Sequence, residues 1–293
     1  MKIGILADIH LDLNGPWRDG IIEGLCRAAE RRGVEVMVIP GDVSSSFELT
    51  LRSLEAIQER SGLRCLFVPG NHDIWNQSHP EMDAWQTYEA LKAFPGNLAN
   101  GPLSLEGGWT AVGDLGWYDY SFGSRGHAGE EFGRMQYGER IWQDRLYAPW
   151  GGPAPEIHGF FYRKLEGQLR ALRGGKILLV THVLPRAEFT VQNPGPMWGY
   201  LNAFLGSAAY GELALAYGVR YALCGHVHYR RRVKVEATAF ICSCLGYTSE
   251  WKGSGGPLEE VAAALTVVEL DGDGEQSPPE AGPGCPSPWP YPR

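Results

Sequence analysis

Three short apolar runs, Lys2 to Ala7, Val34 to Pro40 and Leu63 to Val68, alternate with two stretches of helical periodicity, Asp19 to Arg32 and Phe47 to Arg60. This βαβαβ order calls for parallel strands joined by right-handed crossovers, and so for a layered α/β fold. Each apolar run gives way at once to polar residues: Asp8-Ile9-His10 after the first, Gly41-Asp42 after the second, Gly70-Asn71-His72-Asp73 after the third. Ligands of α/β sheets gather at the carboxyl ends of the strands, so the three separated blocks are expected to converge on one rim.

The pattern resumes further on. Glu81 to Ala93, Ile157 to Leu172 and Ser207 to Tyr217 read as helices, and Leu103 to Leu105, Trp109 to Val112, Lys176 to Val180 and Arg220 to Cys224 as strands. The last two strands deliver two more blocks, Thr181-His182 and Gly225-His226-Val227-His228. Arg231 to Val235, Ala239 to Cys242 and Ala263 to Leu270 are expected as antiparallel strands. The stretch from Asp114 to Pro155 is rich in Gly, Trp, Tyr and Arg and lacks a period. Its aromatic content argues for an ordered insertion, a lid over the rim, rather than a linker. From Asp271 the chain is dense in Pro, Gly and Ser. The expected organisation is a single domain over residues 1–270 with an insertion at about 114–155, followed by a flexible tail over 271–293.

Charge and composition narrow the function classes. The 293 residues carry a formal net charge of -8. That balance disfavours a nucleic-acid partner without excluding one, since Arg230-Arg231-Arg232 form a local basic spot. No apolar run approaches the roughly 20 residues of a membrane span, and Asp8 breaks the apolar start too early for a signal peptide. The expectation is a cytoplasmic protein with no membrane partner. The six scattered cysteines suit buried thiols better than a disulfide framework, and Cys242 with Cys244 reads as core.

The blocks themselves carry metal chemistry. On an extended strand end, side chains two apart share a face, so Asp8 and His10 are expected to point together, as are His226 and His228. A carboxylate such as Asp42 can bridge metals roughly 3.5–4 Å apart, and Asn71 can add a neutral oxygen. Oxygen and imidazole donors together suit two divalent ions, with Mn or Fe favoured, Zn allowed and Ca disfavoured.

These five blocks, in this order, resemble the calcineurin-like metallophosphoesterase superfamily, over the chain from Asp8 to His228. The resemblance implies a four-layer α/β/β/α sandwich of two mixed sheets flanked by helices. It implies that Asp8, His10, Asp42 and His228 hold one metal, and that Asp42, Asn71, His182 and His226 hold the other. It also implies a mechanism: in-line attack of a metal-bridging hydroxide on a phosphate mono- or diester, with His72 off the metals protonating the leaving oxygen and Asp73 orienting its ring. One run departs from the common pattern. After Gly-Asp the family often places Asp, Asn or His two or three positions on, where this chain has Val43-Ser44-Ser45-Ser46, which leaves the surroundings of Asp42 open.

A small phosphorylated substrate is the expected partner, with Asp12, Asn14, Tyr118, Tyr120 and Arg186 as candidate contacts. Two alternatives stand beside this reading: a metal-binding scaffold of the same fold without catalysis, and a nuclease. The presence of all seven ligand positions and of His72 counts against the scaffold, and the acidic balance against the nuclease. The residues give no reading of oligomeric state.

Overall fold

The structure, a computed structural model, describes residues 1–253 and 255–271; the expected tail beyond Asp271 lies outside the described residues. Strand β1 (Lys2–Ile5) leads into helix α1 (Arg18–Arg32), which stops where Gly33 adopts φ 64° and its N–H returns to the Ala29 carbonyl. Strand β2 (Val36–Ile39) is followed by α2 (Phe47–Ser61), started by Ser46, whose Oγ accepts from the Leu49 N–H. Strand β3 (Arg64–Phe67) runs into a single helical turn, α3 (Asn71–Ile74). Helix α4 (Ala84–Leu91) begins with a reciprocal cap between Asp83 and Gln86.

Strands β4 (Leu103–Ser104) and β5 (Trp109–Asp114) precede the aperiodic stretch. That stretch holds a short helix α5 (Gly129–Gly133), a hairpin of β6 (Gln136–Tyr137) and β7 (Arg140–Ile141), and a turn of helix α6 (Asp144–Tyr147). Then follow α7 (Ala154–Ala171), β8 (Lys176–Thr181), α8 (Pro196–Leu201), α9 (Ala208–Ala216) and β9 (Tyr221–Cys224). Strands β10 (Arg230–Val235) and β11 (Thr238–Ser243), helix α10 (Pro257–Ala264) and β12 (Thr266–Glu269) complete the described chain. The expected strand from Ala263 is thus shorter: Pro257 at the first turn and the acidic pair Glu259 and Glu260 start a helix, and only the β-branched Thr266-Val267-Val268 run forms the strand.

The strands make two mixed sheets flanked by helices. In the first, the order is β12-β1-β2-β3, with β1, β2 and β3 parallel and β12 antiparallel at the edge. In the second, the order is β10-β11-β9-β8-β5-β4. Here β11 corrects the antiparallel expectation on one side: it pairs antiparallel with β10 but parallel with β9. Period-two alternation sorts the side chains. Ile3, Ile5, Val36, Val38 and Leu66 of the first sheet pack with Leu178, Val180, Leu223 and Ile241 of the second in one buried cluster. The alternate residues, Met37, Ile39, Cys65, Phe67, Ile177, Leu179 and Phe240, belong to the cluster that includes the helices. Both faces of each sheet are therefore covered, which is why the strands read as continuous apolar runs.

The aperiodic stretch is built into the body of the protein. Trp117, Tyr118, Phe132, Trp142 and Trp150 are all buried. Among the described residues, no helix is long and apolar enough to cross a membrane.

Candidate metal centre

The five blocks meet where the carboxyl ends of β1, β2, β3, β8 and β9 come together, but not on extended backbone. β1 ends at Ile5, and beyond it Asp8 (φ 54°), His10 (φ 41°), Asp42 (φ 57°), His226 (φ 78°) and His228 (φ 54°) all adopt left-handed conformations. The alternation expected for Asp8 with His10 and for His226 with His228 is therefore not the reason they share a site. Left-handed residues other than glycine cost on the order of 1 kcal/mol or more each, and Asp and His tolerate them better than branched residues. The loops pay this in exchange for running side by side: the N–H groups of Asp8, His10 and Leu11 donate to the carbonyls of Gly41, Asp42 and Val43 at 3.0, 3.1 and 2.8 Å.

The glycines of the blocks follow from the same closeness. A Cβ on Gly70 would lie 2.0 Å from Asp42 Oδ1, and one on Gly225 would lie 2.5 Å from Asp8 Oδ2. No larger residue fits at either place.

Two clusters of donors result. In one, Asn71 Oδ1 lies 3.0 Å from both His182 Nε2 and His226 Nδ1, these two nitrogens are 3.1 Å apart, and Asp42 Oδ2 is 3.4 Å from His182 Nε2. In the other, His10 Nε2 and His228 Nε2 are 3.0 Å apart, Asp8 Oδ1 is 3.5 Å from His228 Nε2, and Asp42 Oδ2 is 3.8 Å from His10 Nε2. Asp42 Oδ2 thus faces both clusters, while its Oδ1 accepts the His72 N–H at 2.9 Å. All seven side chains are buried or nearly so.

The outer hydrogen bonds settle which atoms point inward. His182 Nδ1 meets the Pro40 carbonyl at 2.8 Å, His226 Nε2 meets the Phe204 carbonyl at 3.2 Å, and His228 Nδ1 meets a Glu250 carboxylate oxygen at 2.9 Å. Each of these nitrogens must be the protonated one, because its partner can only accept. In each neutral ring the nitrogen facing the cluster then presents a lone pair. The Asn71 amide nitrogen donates outward to Asp144 Oδ1 at 2.8 Å, so its oxygen also faces in as an acceptor. Three or more acceptors at about 3 Å repel one another unless positive charge lies among them, supplied by a proton on one imidazole or by a metal ion. The residues present fit a metal in each cluster.

The electrostatics of the metal-free protein express the same demand. Burial opposes charge on His182, but the Asp42 carboxylate outweighs it and raises the His182 pKa to about 9. Burial, with His182 alongside, pushes His226 down to about 3. Burial works against the Asp42 charge as well, yet His182, His72 and His10 hold its pKa well below the ordinary carboxylate value.

His72 stands beside this centre, its ring within 4.8 Å of the donor atoms of His10 and Asp42. Its ring stacks on Trp75 at 3.6 Å, and its Nδ1 lies 3.1 Å from Ser45 Oγ. Ser45 therefore occupies the place expected of Asp73. The Asp73 carboxylate accepts instead from the N–H groups of Asp42, Val43, Ser44 and Gly70 and from the Thr50 hydroxyl, at 2.6–3.2 Å. Asp73 shapes the Asp42 loop and does not orient the His72 ring. The departing run Val43-Ser44-Ser45-Ser46 thus supplies the polar partner that its sequence left open.

The candidate substrate contacts divide. Asp12 Oδ2 accepts the Ser45 N–H at 3.0 Å, which places it next to the His72 partner. Asn14 is buried and fully used, donating to the Ile9 and Gly246 carbonyls and accepting from the Thr248 N–H, so it staples loops and does not reach substrate. Tyr118 is buried against Trp117 and Phe204, with its hydroxyl 3.3 Å from Asp144 Oδ2, and serves packing. Tyr120 is half-buried between Phe132 and Phe204. Arg186 pairs with Glu188 and lies over the Phe240 ring, so its charge is already spent. Sequence reasoning missed Ser45, Asp144 and Glu250, polar residues of a loop or of an aperiodic stretch that no period or motif sets apart from their polar neighbours.

Seven metal-type donors thus gather on one rim between two mixed sheets flanked by helices. The chain belongs to the calcineurin-like phosphoesterase family, whose model matches residues 1–230. Its fold is similar to that of the phosphopantetheinyl hydrolase PptH from Mycobacterium tuberculosis, with a TM-score of 0.74 at 18% identity over 94% of this chain and 98% of that one. A dimetal phosphatase from Danio rerio is similar with a TM-score of 0.51 at 13% identity, over 86% of this chain and 89% of that one. A protein from Thermus thermophilus gives 0.50 at 14% identity, over 91% and 97%. No curated protein matches the chain.

Proposed function

We propose that this protein hydrolyses a small phosphate mono- or diester at a centre of two divalent metals. The observation that carries this reading is the inward-facing set of acceptors on His182, His226, Asn71, His228 and Asp42, with Asp42 Oδ2 shared between the clusters. Metals bound there would supply an activated water and neutralise the phosphoryl oxygens. Asp8, His10, Asp42 and His228 would hold one, and Asp42, Asn71, His182 and His226 the other. Nitrogen and oxygen donors favour Mn or Fe, with Zn allowed.

The chain's own residues do the rest. With Nδ1 of His72 engaged by Ser45, Nε2 is the nitrogen left to pass a proton to the leaving oxygen. Trp75 keeps that ring in plane by stacking. The test is metal analysis of the purified protein combined with a substrate panel in Mn, Fe, Co and Zn. The panel includes p-nitrophenyl phosphate, bis-p-nitrophenyl phosphate, a nucleotide, a sugar phosphate and a phosphopantetheinyl ester. We expect about two ions per chain and turnover of at least one ester. Inactivity throughout, with two ions bound, would favour the scaffold reading.

A further inference from the structure

Asp144 lies in the aperiodic stretch, far in sequence from every metal block, yet it is buried and surrounded by donors. Its Oδ1 accepts from the Asn71 amide nitrogen and from the Trp75 indole N–H, both at 2.8 Å. Its Oδ2 accepts from the Trp142 indole N–H at 2.8 Å and from the Tyr118 hydroxyl at 3.3 Å. An indole N–H can only donate, so each end of the side chain at 144 must accept. Only a carboxylate does this; an amide of the same shape would present its nitrogen to one of the two indoles.

We propose that Asp144 is a positioning residue for the second metal and for His72. It rests on the dinuclear reading above. The Asn71 amide has two ends of nearly equal size, and only the oxygen is a useful ligand. By taking the amide nitrogen, Asp144 leaves Asn71 Oδ1 facing His182 and His226. By taking the Trp75 N–H, the same oxygen fixes the indole on which His72 stacks. The Trp142 ring, held by the other oxygen, packs edge-on to His226 at 6.0 Å. One buried carboxylate thus couples the insertion to a metal ligand on one side and to the proton-handling histidine on the other. Removing a partner of this kind from a metal ligand costs about 10- to 100-fold in affinity or activity.

The test uses full-length D144N and the pair W142F/D144N, in which loss of the Trp142 indole N–H lets an amide at 144 turn its nitrogen to that end and its oxygen to Asn71 and Trp75. Titrated with Mn, D144N should keep one ion and bind the second about 10- to 100-fold more weakly, with turnover returning as free Mn is raised. In isotope-labelled metal-free protein, the Asn71 side-chain amide should exchange slowly in the wild type and at the solvent rate in D144N. The pair W142F/D144N should bind the second ion more tightly than D144N. Two results would overturn the proposal. One is D144N with both ions at wild-type affinity and a protected Asn71 amide. The other is loss of both ions in step with a lowered melting temperature of the metal-free protein, with no gain from adding W142F. A wild-type protein that takes up no ion would count against the dinuclear reading, and the amide exchange would still decide the positioning.

Discussion

Ser45 Oγ lies 3.1 Å from Nδ1 of His72, and this bond selects which ring nitrogen faces the reaction. Ser45 is itself held by Asp12, whose Oδ2 accepts the Ser45 N–H. We expect His72→Ala to lower kcat by about 10²- to 10⁴-fold while both metals stay bound, since the loss is of proton transfer. Ser45→Ala should have a smaller effect, about tenfold on kcat with KM little changed, because the ring loses orientation and keeps its nitrogen. Steady-state kinetics with metal analysis of each variant checks both; full activity of His72→Ala would remove it from the mechanism.

Glu250 governs the other cluster. Its Oε2 accepts from His228 Nδ1 at 2.9 Å and from the Tyr247 N–H at 2.8 Å, so His228 presents Nε2 as a lone pair. Glu250→Ala should weaken the ion held by Asp8, His10 and His228 by about 10- to 100-fold and spare the other. Competition with a chelator of known affinity measures this. Equal weakening of both ions would show that the effect is not local.

Metal uptake should release a proton. In the metal-free site His182 has a pKa near 9, raised by Asp42 against the effect of burial, so it is charged at neutral pH. Its Nε2 must lose that proton before it can act as a ligand, whereas His226, near pKa 3, is already neutral. Between about pH 6.5 and 9 the apparent affinity of the second ion should therefore rise about tenfold per pH unit, and level off above. Calorimetric titrations in buffers of different protonation enthalpy read the proton directly; identical heats in all buffers would refute a charged His182.

Away from the site, Lys164 reaches across to close the end of β5. Its Nζ donates to the Tyr88 hydroxyl and the Ala99 carbonyl, both at 2.8 Å, and pairs with the buried Asp114 at 2.5 Å. Lys164→Met leaves that carboxylate without its counter-charge and should cost about 3–5 kcal/mol in urea unfolding of the metal-free protein. Adding Asp114→Asn should recover part of the loss. A single variant within about 0.5 kcal/mol of wild type would show that the pair is energetically neutral.

Much of the site was legible because its chemistry is local. Each metal block follows directly on an apolar run, and the glycines at 41, 70 and 225 stand beside ligands where backbone and carboxylate come too close for a Cβ. The insertion was legible only as aromatic and aperiodic. Nothing in its composition marks Asp144, since a single aspartate among tryptophans has no period and no motif to betray it. Asp73 misled for the opposite reason: it adjoins His72 in sequence, yet its side chain turns to the Asp42 loop.

By itself the sequence determined the order of strands, the rim on which the ligands gather and the donor types, because periodicity and residue chemistry act within a few positions along the chain. The tertiary structure alone decided how those donors are aimed. Whether an imidazole or amide presents a lone pair depends on the atom bonded to its far end, and those atoms, on Pro40, Asp144, Phe204 and Glu250, mostly come from remote parts of the chain.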